Sequence, residues 1–336
     1  MLGREVVVLG CGSVGLEVIE RIVGMSDVGS IWCVDSAEIA LSNAYERIRQ
    51  FDHRDDLKVS FELLDLSDKC AVEKFTFGKN FDSVYLCAAY KHVRWCEISP
   101  GSAWRNNTMS VINSLENFST KSNSFVFIST DKAVFPTTVM GKTKRMGEIL
   151  VSTWSELTGN KANIVRFGNV LASSGSVIPI FKNQIAKGGP ITVTSTQAER
   201  YFMSLQQAAY LVVEASQLHQ SEEPILLPHK QKVRILDLAR FLVLQAGYLY
   251  QEDNEPLRPG HIRIDIVGLG VGEKEVEALS EGSLEPLNEE RVFFQAIGER
   301  KILPEYDYKT ISDEVKTRIP KDEWPHLDSL LNCILQ

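Results

Sequence analysis

The sequence predicts an α/β protein built around a doubly wound, mostly parallel β-sheet. Short apolar segments rich in β-branched residues alternate with segments of helical periodicity, as happens when helices connect parallel strands. A glycine-rich segment separates the first apolar run from the first helical pattern, and polar residues follow later runs. Open sheets of this kind bind ligands at the carboxyl ends of their strands, so those polar residues are the first candidates for a site.

Six apolar runs are predicted as strands, and they cover residues 5–9, 31–34, 61–64, 83–87, 125–128 and 163–167. Helical patterns lie at 16–22, 103–119 and 137–157. Residues 170–190 are rich in Ser, Gly and Pro, which predicts a loop that closes over a ligand. The Glu-rich segment 273–290 predicts a solvated helix face and loop, and the C-terminal segment predicts a short helical cap.

Composition narrows the class of protein. The chain has 336 residues, of which 44% are apolar and 24% charged, and its net charge is −8. This acidic balance argues against binding to nucleic acid or to a membrane surface. No apolar run reaches the roughly 18 residues of a membrane span, and the first residues lack the layout of a signal peptide. The six cysteines are scattered, which predicts a cytoplasmic protein without disulfides or a metal site.

A dinucleotide site is predicted where the first strand meets the first helix. The segment Gly10-Cys11-Gly12-Ser13-Val14-Gly15 fits the G-x-G-x-x-G pattern of the Rossmann fold, in which backbone approaches a pyrophosphate at a helix N-terminus. Asp35 ends the second strand, where a carboxylate accepts hydrogen bonds from ribose hydroxyls and repels a 2′-phosphate, so NAD is favoured over NADP. The alternative is a plain strand–helix turn. The predicted cofactor contacts are Gly10, Gly12, Ser13, Val14, Gly15, Asp35 and Ser36.

The same pattern divides the chain into two functional halves. Residues 1–168 are predicted to form the NAD-binding Rossmann domain, to which residues 200–228 return. Residues 169–199 and 229–336 are predicted to form a smaller substrate-binding domain, because the alternation of strands and helices changes after Phe167.

The most informative segment follows the strand at 125–128. Thr130, Asp131 and Lys132 place a hydroxyl, a carboxylate and an amine at the carboxyl edge of the sheet. Such a set can donate and accept protons beside a bound ligand. The alternative for Asp131 and Lys132 is an ordinary surface ion pair.

The helix that follows adds two further candidates. Pro136 and Thr137 suit the start of a helix. Met140 and Lys144 are four residues apart and therefore share one face of it. A lysine there can hold the nicotinamide ribose and add positive charge near the reacting oxygen, whereas the alternative is a solvated helix lysine.

Further motifs lie in a fixed order from the cofactor loop to about residue 280. They are Ala88-Ala89-Tyr90-Lys91-His92-Val93, Asn107, Ser129-Thr130-Asp131-Lys132-Ala133, Met140-Gly141-x-x-Lys144, Arg166-Phe167-Gly168-Asn169-Val170, Ser174-Gly175-Ser176-Val177-Ile178-Pro179-x-Phe181, Gly188-Gly189-Pro190-Ile191-Thr192-Val193-Thr194 and Arg200-Tyr201-Phe202-Met203. Together they resemble the polysaccharide-biosynthesis family of nucleotide-sugar 4,6-dehydratases, a branch of the extended short-chain dehydrogenases. The resemblance implies a Rossmann-type doubly wound sheet with a smaller substrate-binding domain.

The resemblance also implies a reaction. NAD-dependent removal of water from a nucleotide sugar similar to UDP-N-acetylglucosamine gives a 4-keto-6-deoxy sugar, with the configuration at C5 retained. By resemblance, Asp131 protonates the departing C6 hydroxyl and Lys132 takes the C5 proton. Thr130 binds the C4 oxygen, and Lys144 holds the nicotinamide ribose. Met140 stands where many members of the wider superfamily have a tyrosine, a change that one branch of the family shares.

Further binding residues follow from the resemblance. For the cofactor they are Asp65, Leu66, Ala88, Ala89, Lys91, Asn107 and Lys144. For the nucleotide sugar they are Lys91, His92, Asn169, Ser174, Gly175, Ser176, Val177 and Arg200. The chain departs from the family at Leu9, Ser195 and Gly270, where the family has a glycine, a histidine and an arginine. These departures leave the nucleotide (UDP, GDP, CDP or dTDP) and the sugar open.

Two other functions stay open at this point. One is a nucleotide-sugar 4-epimerase or dehydrogenase on the same fold, which needs no Asp–Lys pair for elimination. The other is a non-catalytic NAD-binding protein. The resemblance also implies a homo-oligomer, a dimer or a dimer of dimers, that pairs through the helices near 103–119 and 137–157.

Overall fold

The computed structural model describes residues 4–51, 54–118, 124–171, 176–218, 223–226, 232–252, 255–270, 272–286, 294–297 and 306–335. The chain divides into two compact units. The first comprises Met1–Phe167, Gln206–Pro228 and Leu279–Gln336, and the second comprises Gly168–Leu205 and His229–Ala278.

The strands are β1 (Glu5–Leu9), β2 (Ser30–Asp35), β3 (Lys58–Leu63), β4 (Ser83–Leu86), β5 (Ser124–Thr130), β6 (Ala162–Phe167), β7 (Asn169–Val170), β8 (Ile191–Val193), β9 (Glu199–Met203), β10 (Ile225–Leu226), β11 (Lys232–Arg234), β12 (Leu249–Gln251), β13 (His261–Ile266), β14 (Ser283–Pro286) and β15 (Phe294–Ile297). The first six strands correspond to the six apolar runs predicted from the sequence.

The α-helices are α1 (Ser13–Val23), α2 (Glu38–Ile48), α3 (Lys69–Thr76), α4 (Val93–Ile98), α5 (Pro100–Trp104), α6 (Ser110–Asn117), α7 (Val139–Thr158), α8 (Val177–Ala186), α9 (Leu205–Gln217), α10 (Ile235–Gln245), α11 (Tyr308–Arg318) and α12 (Trp324–Ile334). A π-helical turn, Arg105–Met109, joins α5 to α6. The helix predicted near 103–119 is therefore composite. The helix predicted from Pro136 begins later, at Val139, because the Thr138 side chain caps it by accepting a hydrogen bond from Gly141 N at 3.1 Å.

The first unit is built on a nine-stranded sheet with the order β14-β15-β10-β6-β5-β4-β1-β2-β3. The strands from β10 to β3 are parallel, whereas β14 and β15 form an antiparallel pair at one edge. The chain runs outward from β1 to β3 and then returns to β4 on the other side of β1. The strand order therefore reverses between β1 and β4, which is where such sheets bind ligands. This confirms the predicted fold class.

The second unit has two small sheets and an apolar core of its own. The sheets have the orders β11-β9-β7 and β12-β13-β8. The prediction of a loop over 170–190 is wrong for much of that segment, because Val177–Ala186 forms α8. Phe181 and Ile185 are four residues apart on this helix and are buried in the core of the unit, which explains why the segment is helical.

The Glu-rich segment 273–290 also differs from its prediction. Its described residues contain no helix, and Ser283–Pro286 forms the edge strand β14. The prediction read a run of glutamates as a solvated surface. Glu277, however, is buried.

The C-terminal helices α11 and α12 belong to the first unit, whereas the sequence prediction placed all of 229–336 in the substrate-binding domain. Ile311, Val315, Leu327 and Leu331 are buried in the same core cluster as residues of β5, α6 and α7. The periodicity of the sequence predicted a C-terminal helical cap. It could not indicate whether the cap covers the first or the second unit, because each unit has an apolar core.

This packing bears on the predicted oligomer. The faces expected to pair two copies, near 103–119 and 137–157, are covered within the same chain by α11 and α12. Lys316 Nζ lies 2.5 Å from Glu116 Oε1 of α6, and Lys142 Nζ of α7 lies 2.5 Å from Asp328 Oδ2 of α12. The part of those faces that α11 and α12 cover is not open to a second copy, and both the interface and the number of subunits stay predictions. Across the described part of the chain, no helix has the length and apolar character needed to span a membrane.

Candidate active site

The glycine loop between β1 and α1 is shaped by close backbone contacts. Gly10 N donates to Val34 O at 2.7 Å, and Gly10 has a positive φ of 102°, which favours glycine. A Cβ on Gly15 would lie 1.8 Å from Gly10 O, so only glycine lets α1 start this close to β1. A Cβ on Gly12 would meet nothing within 4 Å. The loop therefore leaves open space beside Gly12, at the start of α1.

The start of α1 fits an anionic group. Gly12 is the N-cap residue and has no side chain that could accept from the first N–H groups, and the first turn carries no acidic residue. Free N–H groups at a helix N-terminus bind phosphate. Ser13 and Val14, which were predicted to contact the cofactor, are the first two residues of α1, so the helix begins three residues before the predicted pattern at 16–22.

Asp35 holds the glycine loop and stands at the end of β2. Its Oδ2 accepts from Cys11 N at 2.6 Å, and its Oδ1 accepts from Ala37 N at 2.8 Å. Each carboxylate oxygen keeps a second lone pair for a ribose hydroxyl. Ser36 follows in an exposed position. The open loop, the uncapped helix start and this carboxylate together fit a dinucleotide with a free 2′-hydroxyl.

The ends of β3 and β4 bring further predicted residues to the same edge of the sheet. Asp65 Oδ1 accepts from Ser67 N at 2.8 Å, and Leu66 O accepts from Asn113 Nδ2 at 2.8 Å. Ala88 N donates to Leu9 O at 2.8 Å and lies 2.4 Å from the Cβ position of Gly10. The predicted residues that follow, Ala89, Lys91 and His92, lead into α4, and the last two are exposed.

Asn107 makes several hydrogen bonds within the chain. Its Oδ1 accepts from Tyr90 N at 2.7 Å, and its Nδ2 donates to Tyr90 O at 3.1 Å and to Thr143 Oγ1 at 2.9 Å. Asn106 Nδ2 donates to the same Oδ1 at 3.0 Å. These bonds use the donors and lone pairs of the amide. Asn107 therefore ties the segment after β4 to α7, and its contact with the cofactor stays a prediction.

The three predicted catalytic groups meet at one oxygen atom. Thr130 ends β5 and Asp131–Ala133 forms a single 3₁₀ turn. Asp131 Oδ1 accepts from Thr130 Oγ1 at 2.8 Å and from Lys132 Nζ at 2.9 Å. Asp131 is only 2% exposed, whereas the Lys132 side chain is 24% exposed. The pair is thus a partly buried ion pair, and Asp131 Oδ2 takes part in neither contact.

Helix α7 packs directly on this turn. A Cβ on Gly141 would lie 2.3 Å from Lys132 O, so the glycine permits the close approach of the helix. Lys144, one turn later, is buried with its Nζ 4.0 Å from the centroid of the Phe127 ring. Burial lowers the pKa of Lys144 to about 7, although the charges of Glu148 and Cys87 act in the opposite direction. The alternative of a solvated helix lysine is therefore wrong.

Met140 lies in the apolar core of the first unit. Its thioether cannot exchange a proton, so the residue contributes packing ahead of Lys144 and no acid–base chemistry.

The second unit contains the other predicted substrate residues. Asn169 Oδ1 and Ser176 Oγ are buried atoms that have no hydrogen-bond partner among the described residues. Ser176 is the N-cap residue of α8, and Val177 begins that helix. Ser174 and Gly175 lie outside the described residues.

Arg200 and Ser195 are both joined to Glu275. Arg200 Nη1 donates to Glu199 O and Glu275 O, both at 2.8 Å, which leaves other donors of its guanidinium for a ligand. Ser195 Oγ donates to Glu275 Oε1 at 2.8 Å. Gly270 N donates to Glu273 Oε2 at 3.1 Å, so this departure from the family forms a local turn.

We refer to the 3₁₀ turn Asp131–Ala133 as the catalytic turn. Two residues near it were given no functional role from the sequence. Glu148 of α7 and Arg166 of β6 are buried and paired with each other. Two sequence signals pointed to them: Glu148 is four residues after Lys144 on one helix, and Arg166 begins the motif Arg166-Phe167-Gly168-Asn169-Val170. Within the described ranges, no group of three or more His, Cys, Asp or Glu side chains could hold a metal ion.

The fold and the glycine loop define a Rossmann-type α/β protein with the architecture of the extended short-chain dehydrogenases. Residues 6–295 match the family model described as "Polysaccharide biosynthesis protein". The chain belongs to this family.

Relatives and solved structures agree with this assignment. EpsC of Bacillus subtilis, a probable polysaccharide biosynthesis protein, is 37% identical over 71% of this chain and 40% of its own length. A UDP-glucose 4-epimerase of Rickettsia canadensis is 34% identical over 61% of this chain and 60% of its own length. The structure of Pen from Bacillus thuringiensis superimposes with a TM-score of 0.72 at 27% identity, covering 83% of each chain. The chain spans less than half the length of the curated polysaccharide-biosynthesis relatives such as EpsC.

Proposed function

We propose that this protein is an NAD-dependent nucleotide-sugar 4,6-dehydratase that converts a substrate similar to UDP-N-acetylglucosamine into its 4-keto-6-deoxy product. The observation that carries the proposal is the convergence of Thr130 and Lys132 on one oxygen of Asp131. Removal of water between C5 and C6 needs one base and one acid side by side. Membership of a polysaccharide-biosynthesis family supports a sugar substrate.

The proposed cofactor is NAD, held by the Gly10–Gly15 loop, by the N-terminus of α1 and by Asp35. When bound, NAD supplies an acceptor and later a donor of hydride, so none is consumed in the net reaction. Asp35 would bind the adenosine ribose and exclude a 2′-phosphate. Lys144 would lie beside the nicotinamide ribose. Its amine is partly protonated near neutral pH, and this positive charge stabilises a nearby electron-rich oxygen.

The Asp131–Lys132 ion pair holds one proton that can serve both catalytic roles. If this proton moves from Lys132 Nζ to the Asp131 carboxylate, the products are a neutral amine and a carboxylic acid. This transfer creates no net charge. The amine then takes the C5 proton while the acid gives its proton to the C6 hydroxyl, which leaves as water. The ion pair is thereby restored.

Thr130 would hold the C4 oxygen, and its hydroxyl already donates to Asp131 Oδ1. Met140 cannot accept a proton, and Asp131 takes up the proton of Lys132, so we propose that the proton of the C4 hydroxyl passes through Thr130 to water. A second acid on the opposite face of the sugar would be needed to invert C5. No such residue was predicted from the sequence, so we propose that the C5 configuration is retained.

The diphosphate of the substrate is assigned to the second unit. Ser176 Oγ is buried without a partner among the described residues and can donate to a phosphate oxygen, and Arg200 has further guanidinium donors. Asn169 Oδ1, also without a partner there, is an acceptor and would bind a hydroxyl group of the same ligand. A polar ligand would compensate such atoms, since an unsatisfied buried group costs about 1–3 kcal/mol.

Free thiols at all six cysteines fit the reducing cytoplasm, where we place the protein. We also propose a homo-oligomer, through surfaces other than the helix faces that α11 and α12 cover.

A 4-epimerase is the main rival, and the identity to the Rickettsia epimerase supports it. An epimerase returns hydride to C4 and has no use for a proton donor at C6. The proton-sharing Asp131–Lys132 pair is therefore the feature that favours the dehydratase.

The test is to incubate the protein and its Lys132→Ala variant with UDP-N-acetylglucosamine and NAD, following product mass and NADH. We expect wild type to release water without accumulating NADH. Lys132→Ala should lose water about 10²–10⁴-fold more slowly, because a positioned base is removed. Lys142→Ala, a change of the same kind in a lysine of α7 paired with Asp328, is the matched control. An epimerised product of unchanged mass, or a fully active Lys132→Ala variant, would refute the proposal.

A further inference from the structure

A buried cluster of charges lies at the end of β5, next to the catalytic turn. Glu148 of α7 accepts at both oxygens: Oε1 from Ser129 Oγ at 2.6 Å and from Arg166 Nε at 2.7 Å, and Oε2 from Arg166 Nη2 at 2.7 Å and from Arg145 Nη1 at 2.9 Å. We refer to Ser129, Arg145, Glu148 and Arg166 as the Glu148 cluster. All four are buried, and Arg166 has no exposed surface. The cluster therefore has no direct access to a ligand in solvent.

The cluster is a permanently charged unit. Burial alone would raise the pKa of Glu148, but the charge and hydrogen bonds of Arg166, followed by those of Arg145 and Ser129, outweigh it and hold the pKa at about 2. Glu148 is thus ionised throughout the pH range in which proteins are stable. Such a bidentate Arg–carboxylate pair fixes geometry as well as charge.

Three elements that carry or flank the catalytic groups are joined by this one carboxylate. Ser129 and Arg166 are direct neighbours in the pairing of β5 with β6. Glu148 lies one turn after Lys144 on α7. Ser129 immediately precedes Thr130 and Asp131. Its hydroxyl donates the hydrogen bond that joins it to Glu148. The Ser129–Glu148 hydrogen bond therefore links α7 to the end of β5, two residues before the turn Asp131–Ala133 begins.

We infer that Ser129 and Glu148 are positioning residues, which set the catalytic turn against α7; this inference rests on the proposed dehydratase function. Gly141 of α7 lies against Lys132 O with no room for a Cβ. A small rotation at the end of β5 would therefore move Lys132 against the helix and displace its amine from Asp131. A displacement of about 1 Å in a catalytic group can cost on the order of 10²-fold in rate.

Ser129→Ala is the sharpest test because it removes this link without leaving a buried charge unpaired. In that variant Glu148 keeps its three hydrogen bonds from the two arginines. We expect kcat for water loss to fall about 10- to 100-fold. KM and NAD affinity should stay within about twofold, because the substrate and cofactor groups are untouched.

Ser155→Ala is the matched control. Ser155 is also a buried serine, near the other end of α7, and its Oγ donates to Asn160 O at 2.7 Å. The same chemical change is made there, far along the helix from the turn. Both variants should lose similar thermal stability, but Ser155→Ala should keep the kcat of wild type.

Amide hydrogen exchange of the peptide that contains residues 129–135 gives a reading independent of the reaction. Ser129→Ala should speed exchange there several-fold relative to wild type and Ser155→Ala. Unchanged exchange together with unchanged kcat in Ser129→Ala, or an equal kcat loss in Ser155→Ala, would overturn the inference. If wild type releases no water from any nucleotide sugar, the dehydratase proposal fails, and the exchange result alone decides whether Ser129 positions the turn.

Discussion

Lys144 gives a prediction about stability that does not depend on the reaction. Its side chain is buried against Phe127, and its folded-state pKa of about 7 lies well below the value of about 10.4 for an exposed lysine. The folded protein therefore binds fewer protons than the unfolded chain between these two pH values. Stability due to this group must rise with pH across that window, because the cost of burying an ammonium disappears as Lys144 loses its proton.

The size of the effect follows from the two pKa values. Below pH 7 the penalty is complete, and each pKa unit corresponds to about 1.36 kcal/mol. Between pH 6 and pH 9 the wild type should gain about 2.5 kcal/mol relative to a Lys144→Met variant, which has no proton to lose. At pH 6 the variant should be the more stable protein.

The assay is urea unfolding of the cofactor-free protein at several pH values from 6 to 9. Lys142→Met is the control. Lys142 is two residues before Lys144 and forms an ion pair with Asp328, so the substitution removes a positive charge but leaves the buried amine of Lys144 in place. The difference in unfolding free energy between wild type and Lys144→Met should shrink or reverse as pH rises. A difference that is constant with pH, or that changes equally in Lys142→Met, would refute the burial argument.

Three further predictions concern the cofactor loop and the core. Asp35→Ala should weaken NAD binding by about 1–3 kcal/mol, because charged hydrogen bonds to the ribose are lost; unchanged affinity in calorimetry would remove Asp35 from the site. Gly12→Ala should leave the melting temperature unchanged, because the added Cβ meets no protein atom, but it should weaken NAD binding, because the Cβ occupies the open space proposed for the cofactor. Gly15→Ala should destabilise the fold itself, because its Cβ would lie 1.8 Å from Gly10 O. Equal effects of the two alanines on melting would contradict this distinction. Leu331→Ala, in the C-terminal helix α12, should cost about 2–5 kcal/mol of stability in denaturant unfolding, and a loss below about 0.5 kcal/mol would show that α12 is not part of the core.

The Rossmann half could be predicted from sequence because each local signal agreed with the others. Apolar runs marked β1 to β6, and the glycine loop and Asp35 fell at the ends of β1 and β2. Neighbouring residues such as Thr130, Asp131 and Lys132 needed only a strand end to bring them together. Their convergence on one oxygen depends on the 3₁₀ turn, whose geometry no spacing rule predicts.

The remaining features depend on contacts between distant segments. Glu148 and Arg166 are 18 residues apart and meet only because β6 lies beside β5 under α7. α11 and α12 are amphipathic, and nothing in their own sequence specifies that they cover α6 and α7. Asn107 is a residue type that often binds ligands, but its side-chain amide forms hydrogen bonds with Tyr90 and Thr143. Such pairings are set by tertiary packing and are invisible to local patterns.

Turnover in D₂O with less NAD than nucleotide sugar tests the proposed dehydratase reaction. We expect product to exceed the NAD supplied, each product molecule to have lost one water, and deuterium to appear at C5 with the starting configuration. These results follow if hydride is returned in each cycle and if Lys132 exchanges its proton with solvent. Product limited to the amount of NAD, or product of unchanged mass without deuterium at C5, would contradict the account.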